Sequence, residues 1–325
     1  MKPALRASCA AAWLVLVPLP NLTAAAATDD FSARLDALWD FDHPAASEAK
    51  FTAELARHPA GSREARETAT QLARSLGLQR KFAEADATLD ALLPNLNAPP
   101  TRIRVRYLLE RGRVRNSSGQ SDAAVPMFKE AVAAARMDTL RDADFYLVDA
   151  LHMLGIAAPA PERLDWNLQA LRAAEASTDS RARGWRGSLL HNLGWTYHDR
   201  NDYATALDYW RAAQRAREED GDVGRVRVAR WTVARGLRSL GRLDEAESIQ
   251  RALAIESERD GAPDGFVYEE LMEIALARND GKSAKPWAAK AYALLKDDVW
   301  INANEQDRLL RLANVAGIAA VTSRP

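Results

Sequence analysis

Five histidines, His43, His58, His152, His191 and His198, are the side chains of this 325-residue chain best suited to acid–base or metal chemistry near neutral pH. His191 and His198 stand seven residues apart, on one helical face but two turns, about 10 Å, apart. One metal ion could take both only if long side chains converged. His152 could approach from an earlier segment, and Asp149, Asn192 and Asp199 could orient imidazoles. Ordinary polar lining of a binding surface is the simpler reading of all of them. Other chemical signatures are missing. The sequence contains no Gly-x-Ser-x-Gly elbow, no His-Glu-x-x-His pair and no Gly-x-Gly-x-x-Gly loop. Gly281-Lys282-Ser283 ends like a phosphate loop, but Leu276 stands where its first glycine belongs. The paired carboxylates Glu218-Glu219, Asp244-Glu245 and Glu269-Glu270 read as solvated faces. No catalytic residue, metal ligand or cofactor is expected.

The only cysteine, Cys9, falls in an N-terminal stretch built like a secretory leader. Lys2 and Arg6 precede the apolar run Ala10–Val17, and Ala25–Ala27 offer a small-residue cleavage site before Thr28. Residues 1–27 are therefore expected to be removed, leaving an exported, thiol-free chain with a periplasmic or secreted address. The apolar run is too short to span a bilayer, and no later stretch is apolar enough. A formal net charge of −1 argues against a general nucleic-acid binder. Arginines number 36 against eight lysines. That imbalance reflects either bidentate anion recognition or genomic base composition.

The organising stretch is Leu189 to Gly221, which reads as two helices, about 187–200 and 203–219, around an Asn201-Asp202 break. Gly194 and Ala206 are small where the helices must approach closely. Leu190, Leu193 and Tyr197 fill the gap from one side, Leu207, Trp210 and Ala213 from the other. Neither helix can bury its apolar stripe alone, so the pair needs neighbours. Similar pairs recur at about 66–99, 105–138, 144–177, 227–260 and 265–298. The turn of the third pair, Ala157–Pro161, departs from the others and leaves its register open. Residues 28–61 read as a degenerate first repeat or cap, with Pro44 opening a helix and Ser62 capping the next. Residues 299–325 read as a capping helix with a short tail.

Leu-Gly-x-x-Tyr at 193–197, followed by Ala206, Trp210 and Ala213, resembles the tetratricopeptide repeat. The resemblance covers about 62–298, with starts some 38 to 43 residues apart, longer than the usual ~34. It implies an all-α fold, a right-handed α-solenoid of six or seven helix-turn-helix repeats with terminal capping helices. It also implies that the first helix of each pair lines a concave face through its second, fifth, ninth and twelfth positions.

Those positions are Arg106, Leu109, Arg113 and Asn116 in the second repeat and Phe145, Val148, His152 and Gly155 in the third. They are Ser188, His191, Trp195 and His198 in the fourth, with Asn192 beside them, then Val228, Trp231, Arg235 and Arg238 in the fifth. In the sixth they are Phe266, Glu269, Glu273 and Leu276. The expected ligand-binding set is His152, His191, Asn192, Trp195, His198, Trp231, Arg235 and Arg238. Aromatic plates flanked by cations suit a protein or peptide partner bearing a carboxylate or other anion. Glu269 and Glu273 would set its direction by charge. Some relatives clamp a C-terminal carboxylate with Lys and Asn. Asn192 fits one of those slots, but Val228 and Thr232 replace the expected cations, so an anion would fall to Arg235 and Arg238 instead. The expected function is a non-enzymatic interaction scaffold. The alternative is a structural subunit of an envelope assembly that uses its convex face or its ends. Oligomeric state is not legible.

Overall fold

The computed structural model describes residues 31–93, 102–137 and 143–319; the expected leader at 1–27 lies outside them. Among the described residues every regular element is an α-helix, and none is long and apolar enough to cross a membrane. The chain divides into two compact units, Met1–Ser188 and Leu189–Pro325.

The N-terminal unit contains α1 (Phe31–Asp36), α2 (Pro44–Leu55), α3 (Arg63–Leu78), α4 (Phe82–Asp90), α5 (Arg102–Ser117), α6 (Ser121–Ala135), α7 (Ala143–Ala157), α8 (Ala160–Ala176) and α9 (Ser180–Arg183). Helices adjacent in sequence pack as hairpins, and α3 packs on α5 and α5 on α7, so the first helices form one layer. Helix α10 (Arg186–His198) begins at the boundary. The C-terminal unit continues with α11 (Tyr203–Asp220), α12 (Val223–Ser239), α13 (Leu243–Arg259), α14 (Gly265–Ala277), α15 (Gly281–Leu295), α16 (Val299–Asn304) and α17 (Gln306–Ala316). The fold is thus the stacked-hairpin, all-α type that the sequence implies.

One turn design closes five of the six hairpins. A single residue adopts left-handed φ: Arg80, Gly119, Asn201, Gly241 and Asn279, at 61°, 83°, 61°, 74° and 58°. The next residue's N–H then donates to the carbonyl five residues back, as in Lys81 to Leu76 at 3.0 Å, Gln120 to Arg115 at 2.8 Å and Asp202 to Tyr197 at 3.0 Å. This closes the last helical turn and reverses the chain. Some helix starts are capped by side chains as well. Ser62 Oγ accepts from Ala65 N at 3.2 Å, and Asp202 accepts from Thr205 N at 3.1 Å.

The α7/α8 turn omits this device. Ala158 N donates to Leu154 O at 3.0 Å, and Pro159, which has no N–H, starts the next helix at once. Its register is settled by Asn167, whose Nδ2 donates to Gly155 O at 3.2 Å. In the α5/α6 and α10/α11 hairpins the crossing glycine meets an aromatic ring instead. A Cβ at Gly194 would collide with the Trp210 indole, and one at Gly112 with the Phe128 ring. Trp210 and Phe128 are both fully buried.

The sequence reads as one helix from about residue 30 to Phe41 near the start and another over 302–321 at the end, and the termini differ from this in detail. Helix α1 stops at Asp36, because Trp39 turns to pack at 4.9 Å on the Phe51 ring and to donate at 3.0 Å to Gln71 Oε1. The single capping helix expected over 302–321 is two, α16 and α17. Asp298 Oδ1 caps the first through Ile301 N at 2.9 Å, and Gly317, at φ 68°, ends the second. Leu309, Leu312 and Ala313 of α17 bury themselves against the core of α14 and α15.

Candidate binding site

The expected site residues lie in both units, and the structure gathers most of them in the C-terminal one. The i, i+4, i+7 spacing puts His191, Trp195 and His198 on one face of α10, and Trp231, Arg235 and Arg238 on one face of α12. The Trp195 and Trp231 rings stand 6.4 Å apart at 38°. The Arg235 guanidinium lies over both, 5.3 Å from Trp195 and 5.7 Å from Trp231. Trp195 also packs edge-on against Trp210 at 5.1 Å. The result is a ledge of two half-buried indoles with a cation laid across them.

Glu270 of α14 fixes that cation. Its Oε1 accepts from Arg235 Nη1 at 2.6 Å and from Arg238 Nη2 at 3.0 Å, while Oε2 accepts from Arg238 Nε at 2.7 Å. Burial would raise the Glu270 carboxyl, but Arg238 and Arg235 outweigh it and hold the group below the usual carboxylate range. The sequence reading placed Glu269-Glu270 on a solvated face; Glu270 is in fact 1% exposed. A usable signal was present. Glu270 follows Arg235 by 35 residues, about one repeat, and residues one repeat apart on first helices are neighbours. The same rule links Arg113 to Asp149, for which the sequence left the arginine partner open, Arg230 being one candidate. Arg230 binds Glu256 instead, at 2.8 Å through both carboxylate oxygens.

The histidines are not cations here. Burial, with Arg217 adding repulsion, pushes the His191 imidazole down to about 4. Burial also takes His198 to about 4, assisted by Arg235 and Arg238. Their bonding agrees with neutral rings. Trp195 Nε1 donates at 3.0 Å to His191 Nε2, which must therefore be unprotonated. His198 Nε2 pairs with Ser239 Oγ at 3.0 Å. These rings position the ledge and leave its positive charge to the two arginines, which share one glutamate. Asn192 is half-buried beside them.

Two other groups fall elsewhere. His152 belongs to the N-terminal unit, where its ring lies 4.8 Å from Trp185 and burial takes it to about 4. Glu269 and Glu273 do not stand open to a ligand. Arg308 Nε reaches Glu269 at 3.1 Å, and Arg311 Nη2 reaches Glu273 at 2.8 Å, so α17 covers them. Among the described residues no group of three or more His, Cys, Asp and Glu side chains is disposed to hold a metal ion.

The tetratricopeptide-repeat family profile matches residues 187–219, the α10/α11 hairpin that carries Gly194 and Trp210. That hairpin is a tetratricopeptide repeat, and the rest of the chain shares the fold of such repeats. Its fold is similar to that of a tetratricopeptide-repeat protein from Parabacteroides merdae, at 14% identity, 88% of this chain, 98% of that one and a TM-score of 0.52. It is similar also to aspartyl phosphate phosphatase F from Bacillus subtilis, at 12% identity, 91% and 88% coverage and a TM-score of 0.55. A third similar structure is NprR in complex with its cognate peptide NprX, at 13% identity, 89% and 84% coverage and a TM-score of 0.52. Comparison with curated protein sequences finds no match.

Proposed function

We propose that this protein is a non-catalytic scaffold that holds a peptide or protein segment on the Trp195–Arg235–Trp231 ledge. The observation that carries this reading is the placement of Arg235. Both its ring contacts and its hydrogen bond to Glu270 are fixed, while its buried Nε has no hydrogen-bond partner among the described residues. An immobilised cation between two indoles offers apolar area and charge without further ordering cost. Two arginines against one glutamate leave an excess of positive charge, which favours an anionic segment. The NprR structure, solved with a peptide, supports peptide capture as a use of this fold. The chain's own leader-like residues 1–27 support export to the periplasm or beyond, and the mature protein would then begin at Thr28.

The test is affinity capture from the source organism's envelope extract, with the wild type and the Trp195→Ala/Trp231→Ala/Arg235→Ala variant as parallel baits. A protein retained by the first and lost by the second supports the ledge. Equal retention by both would contradict it and move the function to the convex face or the ends, as a structural subunit requires. Sequencing the N-terminus of the mature protein tests the export reading; an intact residue 1 would refute it.

A further inference from the structure

A second site, separate from the ledge, lies in the N-terminal unit. Residues Trp39 and Phe41, which follow α1, close a cavity of about 40 Å³ against α3, α5 and α7. That is room for about three water-sized groups. Acids and arginines both line it, yet their hydrogen bonding is unequal. The acids are engaged except at one atom, the buried Glu110 Oε2, which has no hydrogen-bond partner among the described residues. Asp36 accepts from Arg106 at 3.2 Å, Asp149 pairs with Arg113, and Glu110 Oε1 accepts from Arg113 at 2.6 Å.

The donors are not. Arg74 makes no hydrogen bond to any described residue; its nearest acidic oxygen, Glu110 Oε1, stands 3.8 Å away. Its guanidinium is held flat, 5.5 Å from the Trp39 ring and 5.4 Å from the Phe41 ring. Trp185, only 6% exposed, has an indole N–H without a hydrogen-bond partner among the described residues, and the buried Arg106 Nη1 has none either, its nearest acidic oxygen being Glu67 Oε1 at 3.6 Å. Buried donors left unmade are unfavourable, so these two, with the partly exposed Arg74 beside them, call for an acceptor. A cationic ligand fits poorly. The rings of Trp39 and Phe41 already hold Arg74, Tyr146 holds Arg106 at 5.8 Å, and Phe145 holds Arg181 at 4.8 Å. Burial also pushes the Glu110 carboxyl up, which lessens its repulsion of an anion.

We propose that this cavity is a carboxylate-binding subsite, in which Arg74 donates in bidentate fashion and the Trp185 indole N–H supplies a further hydrogen bond. A carboxylate is three heavy atoms, matching the space, and its planar fork suits a guanidinium fixed by stacking. A fifth of the Arg74 side chain is exposed, so solute can reach it. The carboxylate belongs either to a small free acid or to the C-terminus of a peptide.

Calorimetric titration of the full-length protein distinguishes these sources. The probes are acetate, benzoate, tri-alanine with a free C-terminus, tri-alanine amide and tetramethylammonium. The expected result is saturable, single-site binding of carboxylates and none of the amide or of tetramethylammonium. Arg74→Gln should weaken binding at least tenfold. Trp185→Phe, which keeps the ring and removes the N–H, should weaken it several-fold, and Arg74→Lys should fall between wild type and Arg74→Gln. Tighter binding of tri-alanine than of acetate assigns the subsite to chain termini; the reverse order assigns it to free acids. The proposal is overturned if wild type binds no carboxylate, if tetramethylammonium binds instead, or if Trp185→Phe and both Arg74 variants bind as wild type does.

Discussion

The two units bury arginines on their first helices and neutralise them in opposite ways. In the C-terminal unit one carboxylate, Glu270, serves Arg235 and Arg238. In the N-terminal unit Arg113 has two, Glu110 and Asp149, while neighbouring Arg74 has only the 3.8 Å approach to Glu110. The first arrangement is tight but has no reserve. The second has a reserve for one arginine and leaves another without hydrogen bonds. A buried charge is costly unless partnered, so the number of acids per arginine decides where a unit is fragile and where it has capacity for a ligand.

The largest test of that contrast is deletion of the shared acid. Glu270→Ala leaves two arginines without their carboxylate and should destabilise the protein by about 3–5 kcal/mol. Glu110→Ala, with Asp149 still on Arg113, should cost clearly less. Urea unfolding followed by circular dichroism compares them, and equal losses would remove the distinction.

A pH series comes next. His152 and His191 sit in different units, and each is held near 4 by burial against about 6.5 when unfolded. Between those values the unfolded chain takes up a proton that the folded chain refuses. Stability should therefore be complete above 6.5 and decline as the pH falls toward 4, by about 1.4 kcal/mol per pH unit for each histidine. His191→Gln, whose carbonyl can still accept from Trp195, should reduce that slope by one histidine's share. An unchanged slope would show that His191 titrates normally.

Smaller effects probe the hairpins. Gly194→Ala drives a methyl into the Trp210 indole and should cost about 1–3 kcal/mol by thermal denaturation. Arg80→Gly should act in the opposite sense, since Arg80 holds φ 61° where glycine pays no steric penalty; a gain of about 0.5–1 kcal/mol is expected. Asn279→Gly at the equivalent turn should gain less, because asparagine tolerates that conformation better.

The sequence revealed the hairpins because each is local: Gly194 and Trp210 lie sixteen residues apart, and so do Gly112 and Phe128. It also brought Trp195, Trp231, Arg235 and Arg238 together, through helical spacing and a shared repeat position. It missed Glu270, because an adjacent pair of acids looks solvated until the neighbouring helix supplies two arginines. The third register was obscured because Pro159 replaces the left-handed turn residue used in the other five hairpins. The cavity beneath Trp39 was illegible for a different reason. Its walls join Asp36 to Arg106 and Tyr146, contacts of 70 residues or more for the first pair, which no repeat period predicts.

The central claim is that a partner segment lies on the Trp195–Arg235–Trp231 ledge. The most direct measurement is photocrosslinking in the source cells, with a benzophenone-bearing residue placed at Trp195 or, as a control, at Ile255, which is 66% exposed on α13. The predicted result is a discrete protein adduct from position 195 and none from 255. An adduct from 255 alone, or none from either position in folded protein, would contradict it.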